Sequence, residues 1–190
     1  TAVLLTLEPH PRKLIHPDFV LARLTLPEER AELLAAGHQF RTRSDTEVLV
    51  HGLEQWGEGL FPRLRGMFAF ALYDAAKADW LIARDPIGII PLYMGWGDDG
   101  SMWFASELKA IQDNCQHFEI FPPGHYFVGK SHQQATKGEM KSFYRERWFT
   151  DVEYLPLEPL DLAQFRHQLH SSVRRHMLSE VPYGVLLSGG

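Results

Sequence analysis

The chain has 190 residues, 45% of them hydrophobic and 23% charged, and its 12 Phe and 5 Trp supply apolar mass for the core of an ordinary globular protein. With 24 acidic against 19 basic residues the net charge is −5, which disfavours counterion-driven attraction to a phosphate backbone and excludes an evident nucleic-acid partner. There is no secretory signal and no apolar run near the ~20 residues that span a bilayer, so no membrane partner is expected; the single cysteine, Cys115, rules out an internal disulfide framework and fits a reducing, cytoplasmic setting.

The opening stretch, TAVLLTLEPHPRKLIHP, begins as a strand and is interrupted at Pro9, Pro11 and Pro17. LPEERAELLAAGHQF then predicts a helix, with Pro27 suited to a first turn, Glu28 and Glu29 complementing the positive end of the dipole, and Gly37 as a stop. A second helix is expected in SDTEVLVHGLEQWG. Ser44 or Asp45 is its candidate cap, and Val48, Leu49, Leu53 and Trp56 form its apolar stripe up to Gly57.

The centre is β-rich. In MFAFALYD both alternating sets are apolar, Phe68, Phe70 and Leu72 on one face and Met67, Ala69, Ala71 and Tyr73 on the other. A strand buried on both faces belongs inside a layered structure. AAKAD turns into the strand WLIARD, and PLYMGW, GDDG and SMWFAS predict a hairpin. Ser106 is placed to cap a short helix, ELKAIQ, and a further strand is expected in HYFVG after Pro122, Pro123 and Gly124.

Residues 150–159, TDVEYLPLEP, have linker composition. Beyond them Leu162, Phe165, Leu169, Val173 and Met177 recur at spacings of three and four, an amphipathic helix of about five turns. A short apolar run follows, and the chain ends on Ser188, Gly189 and Gly190. A glycine loop after a buried strand presents backbone N–H groups where phosphates bind, although the tripeptide alone is a weak signal and an ordinary strand-to-helix turn is the better reading of it.

FRTRSDTEVL, GMFAFALYD, ARDPIGIIPLYMG, ASELKAI, FPPGHYF and VPYGVLLSGG, in this order and spacing, resemble glutamine-hydrolysing asparagine synthetases from about Arg30 to Gly190. The resemblance implies an α+β fold for residues 1–150: a class II glutamine amidotransferase domain, an αββα sandwich of the Ntn-hydrolase type. A linker at 151–159 would follow, and then, over 160–190, the first helix and strand of an α/β ATP pyrophosphatase-type synthetase domain. The family's phosphate loop is Ser-Gly-Gly-x-Asp-Ser, so the sequence reads as a fragment cut just inside that second domain. The implied substrates are glutamine, aspartate and ATP, the last with Mg²⁺ as its counter-ion, and the full-length enzyme is compatible with a homodimer.

Residue by residue, the resemblance assigns Asp45 to the α-amino group of glutamine, Leu187 to the nucleotide base, and Ser188, Gly189 and Gly190 to the phosphate loop. Arg84, Asp85 and Gly88 match a family signature, but as residues they describe a tight turn after a strand and receive no catalytic assignment. Three family features are missing: the Cys-Gly start whose thiol is the nucleophile, the Asn-Gly-Glu-Ile-Tyr-Asn run with its oxyanion donors, and an arginine for the glutamine carboxylate. VLARLTLPEERAELL stands where that run belongs, so residues 1–29 fall outside the resemblance. No catalytic residue is therefore assigned, and the chain alone is expected to be inactive.

Thr1 is read as an internal residue of a longer chain. Cys115, in QDNCQHF, is read as an ordinary thiol in a polar loop with nothing near it to lower its pKa. His167, His170 and His176 share the last helix with Arg166, Arg174 and Arg175 and describe a solvated basic face without metal-ligand spacing. Two other readings stay open: a related ligase of the same two domains that amidates another acceptor, as in β-lactam synthetases, and a non-catalytic amidotransferase-like binding module.

Overall fold

A computed structural model describes residues 4–6, 15–24, 26–74, 79–130, 138–146, 159–177, 182, 184 and 185. Among the described residues nine strands form two antiparallel sheets. β1 (Leu4–Thr6), β6 (Met102–Ala105), β5 (Tyr93–Trp96) and β7 (His117–Ile120) make a four-stranded sheet in that order. β2 (Ile15–Leu24), β3 (Gly66–Asp74), β4 (Asp79–Arg84), β8 (His125–Lys130) and β9 (Glu139–Ser142) make a five-stranded one.

The residue pattern of β3 sets the layers. Phe68, Phe70 and Leu72 face two helices, α1 (Pro27–Ala35) and α2 (Asp45–Trp56), and share a buried cluster with Leu33, Val48 and Leu49. The alternate residues Ala69, Ala71 and Tyr73 face the second sheet and pack with Leu92, Met94, Met102 and Phe104. β4 repeats the alternation, with Leu81 and Ala83 toward the helices and Trp80 and Ile82 toward the other sheet. Small side chains on the sheet-facing side let two pleated surfaces approach, while the bulky Phe residues fill the wider gap beneath the helices.

Most expected elements form. Pro27 occupies the first turn of α1, and α2 stops at Gly57, whose φ is 55°. The two hairpins form as β3–β4 and β5–β6. Ser44, not Asp45, caps α2: its side chain accepts a hydrogen bond from the Thr46 N–H.

Other expectations are corrected. ELKAIQ makes only a 3₁₀ turn over Leu108–Ala110, preceded by Glu107 without a side-chain cap, so Ser106 is not its cap. The turn is held short because Ile111 just beyond it is buried against the outer face of the four-stranded sheet, with Leu108 packed beside it. Cys115 is buried in the same cluster rather than lying in a polar loop.

The segment before α1 is built into both sheets. β1 pairs with β6, and β2 runs along β3 as the outer strand of its sheet, with a register shift between Pro17 and Phe19. An edge strand tolerates the proline because one side of its backbone needs no ladder partner. β7 and β9, which the sequence did not suggest, close the other edges.

Candidate functional site

Asp45 is the first residue of α2, half-buried, and its Oδ2 accepts a hydrogen bond from the Leu24 N–H at 3.1 Å. The carboxylate thus ties the end of β2 to the start of α2. The residues leading into it are held by Glu47, which accepts from the Arg41 N–H at 2.6 Å, the Thr42 N–H at 2.7 Å and Thr42 Oγ1 at 2.6 Å. Burial pushes the Glu47 carboxyl up, but these hydrogen bonds, with the charge of His51, outweigh it and hold the group below its ordinary value. The Arg30 guanidinium stacks over the Phe40 ring at 4.1 Å and donates to the Thr42 carbonyl. Asp45 therefore projects from a braced turn at a helix N-terminus, where the dipole favours a negative group.

The turn after β4 is a second polar centre. Asp85, 1% exposed, accepts five backbone hydrogen bonds: Ile87, Gly88 and Ile89 donate to Oδ1, and Phe68 and Ile90 to Oδ2. Arg84 points the other way and donates to the carbonyls of Ile90, Phe121 and Gly88 at 2.7, 2.7 and 2.8 Å. Burial pulls the Arg84 guanidinium down, and the neighbouring Asp85 charge offsets part of that shift. Gly88 has φ 73°, and a Cβ there would stand 2.9 Å from both Arg84 Cζ and Pro123 Cγ. The motif is a turn held by its own ions, as its residues suggested.

Beside this turn lies a cavity of about 890 Å³, lined among others by Arg65, Asp85, Ile87 and Tyr144, and on its far side by His167 and Ser171 of α3 (Leu162–His176). Asp45 does not line it. Asp161 caps α3, accepting from the N–H groups of Ala163 and Gln164. Its expected apolar stripe, Leu162, Phe165, Leu169, Val173 and Met177, is 42 to 70% exposed.

Leu187, Ser188, Gly189 and Gly190 lie outside the described residues, so Asp45 alone of the sequence-assigned residues has a described position. Thr1 also lies outside them, as do the side chains of Arg175 and His176. Burial pushes the Cys115 thiol up, and a Cβ on Gly95 would come within 2.6 Å of its Sγ. That shift is opposite to the one that activates a nucleophilic cysteine.

The comparisons with known proteins agree with this architecture. The structure of glutamine phosphoribosylpyrophosphate amidotransferase from B. subtilis superposes with a TM-score of 0.52 at 24% identity, over 63% of this chain and 27% of that one, a likeness of fold. Residues 26–113 match the glutamine amidotransferase domain family, and residues 164–190 match the asparagine synthase family. Two stacked antiparallel sheets with helices on the outer face define the class II glutamine amidotransferase fold, of the Ntn-hydrolase type.

Within that class the relatives are specific. Asparagine synthetase [glutamine-hydrolyzing] 3 of Arabidopsis thaliana is 46% identical over 153 residues, 80% of this chain and 25% of that protein. The Sandersonia aurantiaca asparagine synthetase is 44% identical over 154 residues, 81% of this chain and 28% of that protein, and the Zea mays protein is 44% identical over 153 residues, 80% of this chain and 25% of its own length. The chain belongs to the family of glutamine-hydrolysing asparagine synthetases and spans about a quarter of the length of these relatives.

Proposed function

We propose that these residues are part of an enzyme that moves the side-chain amide nitrogen of glutamine to the β-carboxylate of aspartate. The reaction consumes glutamine, aspartate, ATP and water and yields asparagine, glutamate, AMP and pyrophosphate. The observation that carries the reading is the succession, in one chain, of an amidotransferase fold and a segment matching the asparagine synthase family. Under this reading residues 1–150 belong to the amidotransferase domain, 151–159 form a linker, and the region from 160 opens the ATP-using domain. ATP, with Mg²⁺ as its counter-ion, would be held by Leu187, Ser188, Gly189 and Gly190 together with residues of the longer protein. That protein would work in the aqueous cytoplasm; among the described residues no helix is long and apolar enough to cross a membrane.

Asp45 receives the α-amino group of glutamine in this reading. One carboxylate oxygen is engaged by the Leu24 N–H, and the group still has lone pairs to accept from an ammonium. Asp45→Asn keeps an oxygen for Leu24 and removes the charge that pairs with the substrate. In the full-length protein from its source cell, identified by intact mass and N-terminal residue, asparagine should form from aspartate and ATP with either glutamine or ammonia as nitrogen donor. Asp45→Asn should raise KM for glutamine about 10- to 100-fold, the ~1.5–3 kcal/mol of a charge-assisted hydrogen bond. It should leave ammonia-dependent synthesis unchanged. Asparagine formation from neither donor would overturn the assignment, and amidation of a different carboxylic acid would move it to a related ligase.

A further inference from the structure

The connection between α1 and α2 carries a side-chain cluster that the proposed reaction does not use. His38 Nδ1 lies 3.2 Å from His51 Nδ1, and His51 Nδ1 lies 2.9 Å from Glu54 Oε2. The third edge of the triangle, His38 Nδ1 to Glu54 Oε2, is 3.6 Å. A tetrahedral zinc ion with bonds of about 2.0–2.1 Å places its ligand atoms about 3.3–3.4 Å apart. The three observed edges bracket that spacing, and all three ligand atoms face one another. We infer that His38, His51 and Glu54 form a binding site for a divalent transition-metal ion of the Zn²⁺ type, the fourth position being open to water beside the more exposed Glu54.

The surroundings support a built site. With Gln55 Oε1 as acceptor at 3.0 Å, His38 Nε2 carries the proton and Nδ1 keeps its lone pair toward the centre. His51 Nε2 faces Glu47 Oε1 at 4.0 Å, and Glu47 is itself fixed by Arg41 and Thr42. The outer nitrogen of His38 thus has the hydrogen-bonded oxygen partner that orients ligating histidines, and the outer nitrogen of His51 faces a carboxylate without bonding to it. The Phe40 ring packs edge-on against His51 at 4.8 Å, limiting its rotation. Both histidine side chains are more than four-fifths buried, at 17% and 18% exposure. A metal ion on His51 Nδ1 leaves the proton of that ring on Nε2, toward Glu47. The ion would clasp His38, which follows α1, to the middle of α2, bracing the turn that leads into Asp45.

Zn²⁺ titrated into the metal-free full-length protein should fill one site per chain that the His38→Ala protein lacks, and should raise the Tm of the parent. Co²⁺ in its place should show the visible absorption of a tetrahedral site. His38→Ala and His51→Ala should each weaken binding by about 10- to 100-fold or more. Glu54→Gln, on the exposed side of the cluster, keeps the fold and should weaken it at least tenfold, which separates lost ligation from unfolding. His167→Ala should leave binding unchanged. No saturable binding, or binding that survives Glu54→Gln and both histidine changes, would mean the three side chains form only a hydrogen-bonded cluster and would overturn the assignment.

Discussion

Tyr126 and Glu58 share a hydrogen bond at the rim of the helix-facing core, and their titrations move in opposite directions. Burial, and after it the bond to Glu58, pushes the Tyr126 phenol from 10.0 up to about 12. Its bond to Tyr126, followed by the one from Lys141 at 2.9 Å, holds the Glu58 carboxyl below its ordinary value. The protonated tyrosine stabilises the fold in full below pH 10. Between about 10 and 12 the unfolded chain loses this proton while the folded chain keeps it, so the contribution falls as pH rises. Glu58 behaves oppositely: its contribution is present above the ordinary carboxylate value and is lost as pH falls through the depressed one. In a phenolate absorbance titration, the difference between the parent chain and Tyr126→Phe should be a single tyrosine with a midpoint at about 12; a midpoint near 10 would show that the hydroxyl is not held. Nothing in the sequence marked this pair, because Glu58 and Tyr126 are brought together only when Tyr126 stacks on Phe61 at 4.2 Å.

The turn after β4 shows how one element organises its neighbours. Asp85 gathers five N–H groups, and its carbonyl accepts from the Gly88 and Gly124 N–H groups, joining this turn to the one before β8. Removing a buried carboxylate leaves its donors unpaired, at about 1–3 kcal/mol for each one that water cannot reach. Asp85→Ala is therefore expected to lower unfolding stability by about 3–5 kcal/mol. Gly88→Ala should cost about 1–3 kcal/mol, because φ 73° disfavours a Cβ and the Arg84 group it would strike is fixed by three hydrogen bonds. Urea unfolding midpoints measure both, and an unchanged midpoint for Asp85→Ala would show the cradle contributes nothing. The sequence showed a tight turn at these residues. It did not show that a helix-facing strand and two loops are fastened to it, since the donors come from residues 68, 87, 88, 89, 90 and 124.

At the scale of the molecule, the two-sheet core is well filled and α3 is not part of it. The stripe of Leu162, Phe165, Leu169, Val173 and Met177 faces outward among the described residues. Exposed apolar rows of this length drive association unless something covers them. The 190-residue chain should therefore show concentration-dependent self-association in light scattering, and Phe165→Glu with Leu169→Glu should reduce it without changing far-UV circular dichroism of the sheets. A parent chain that stays monomeric at high concentration would show that the stripe is covered.

The sequence by itself determined the two hairpins and the helices α1, α2 and α3, because these rest on local periodicity, caps and turn residues that act over a few positions, and the family was legible as a resemblance carried by six motifs in order. Phe68, Phe70 and Leu72 on one face of β3, with Ala69, Ala71 and Tyr73 on the other, already read as a strand buried on both sides; that helices cover the first set and a second sheet the other was decided by the tertiary structure. Only the tertiary structure decided which polar groups meet. His51 and Glu54 are one turn apart on α2 and legible as a pair, but His38 reaches them across the α1–α2 connection. Leu24 meets Asp45, and Phe68 meets Asp85, across 21 and 17 residues. Such contacts follow from how sheets and helices stack, and no spacing along a chain encodes the direction in which a distant backbone N–H will point.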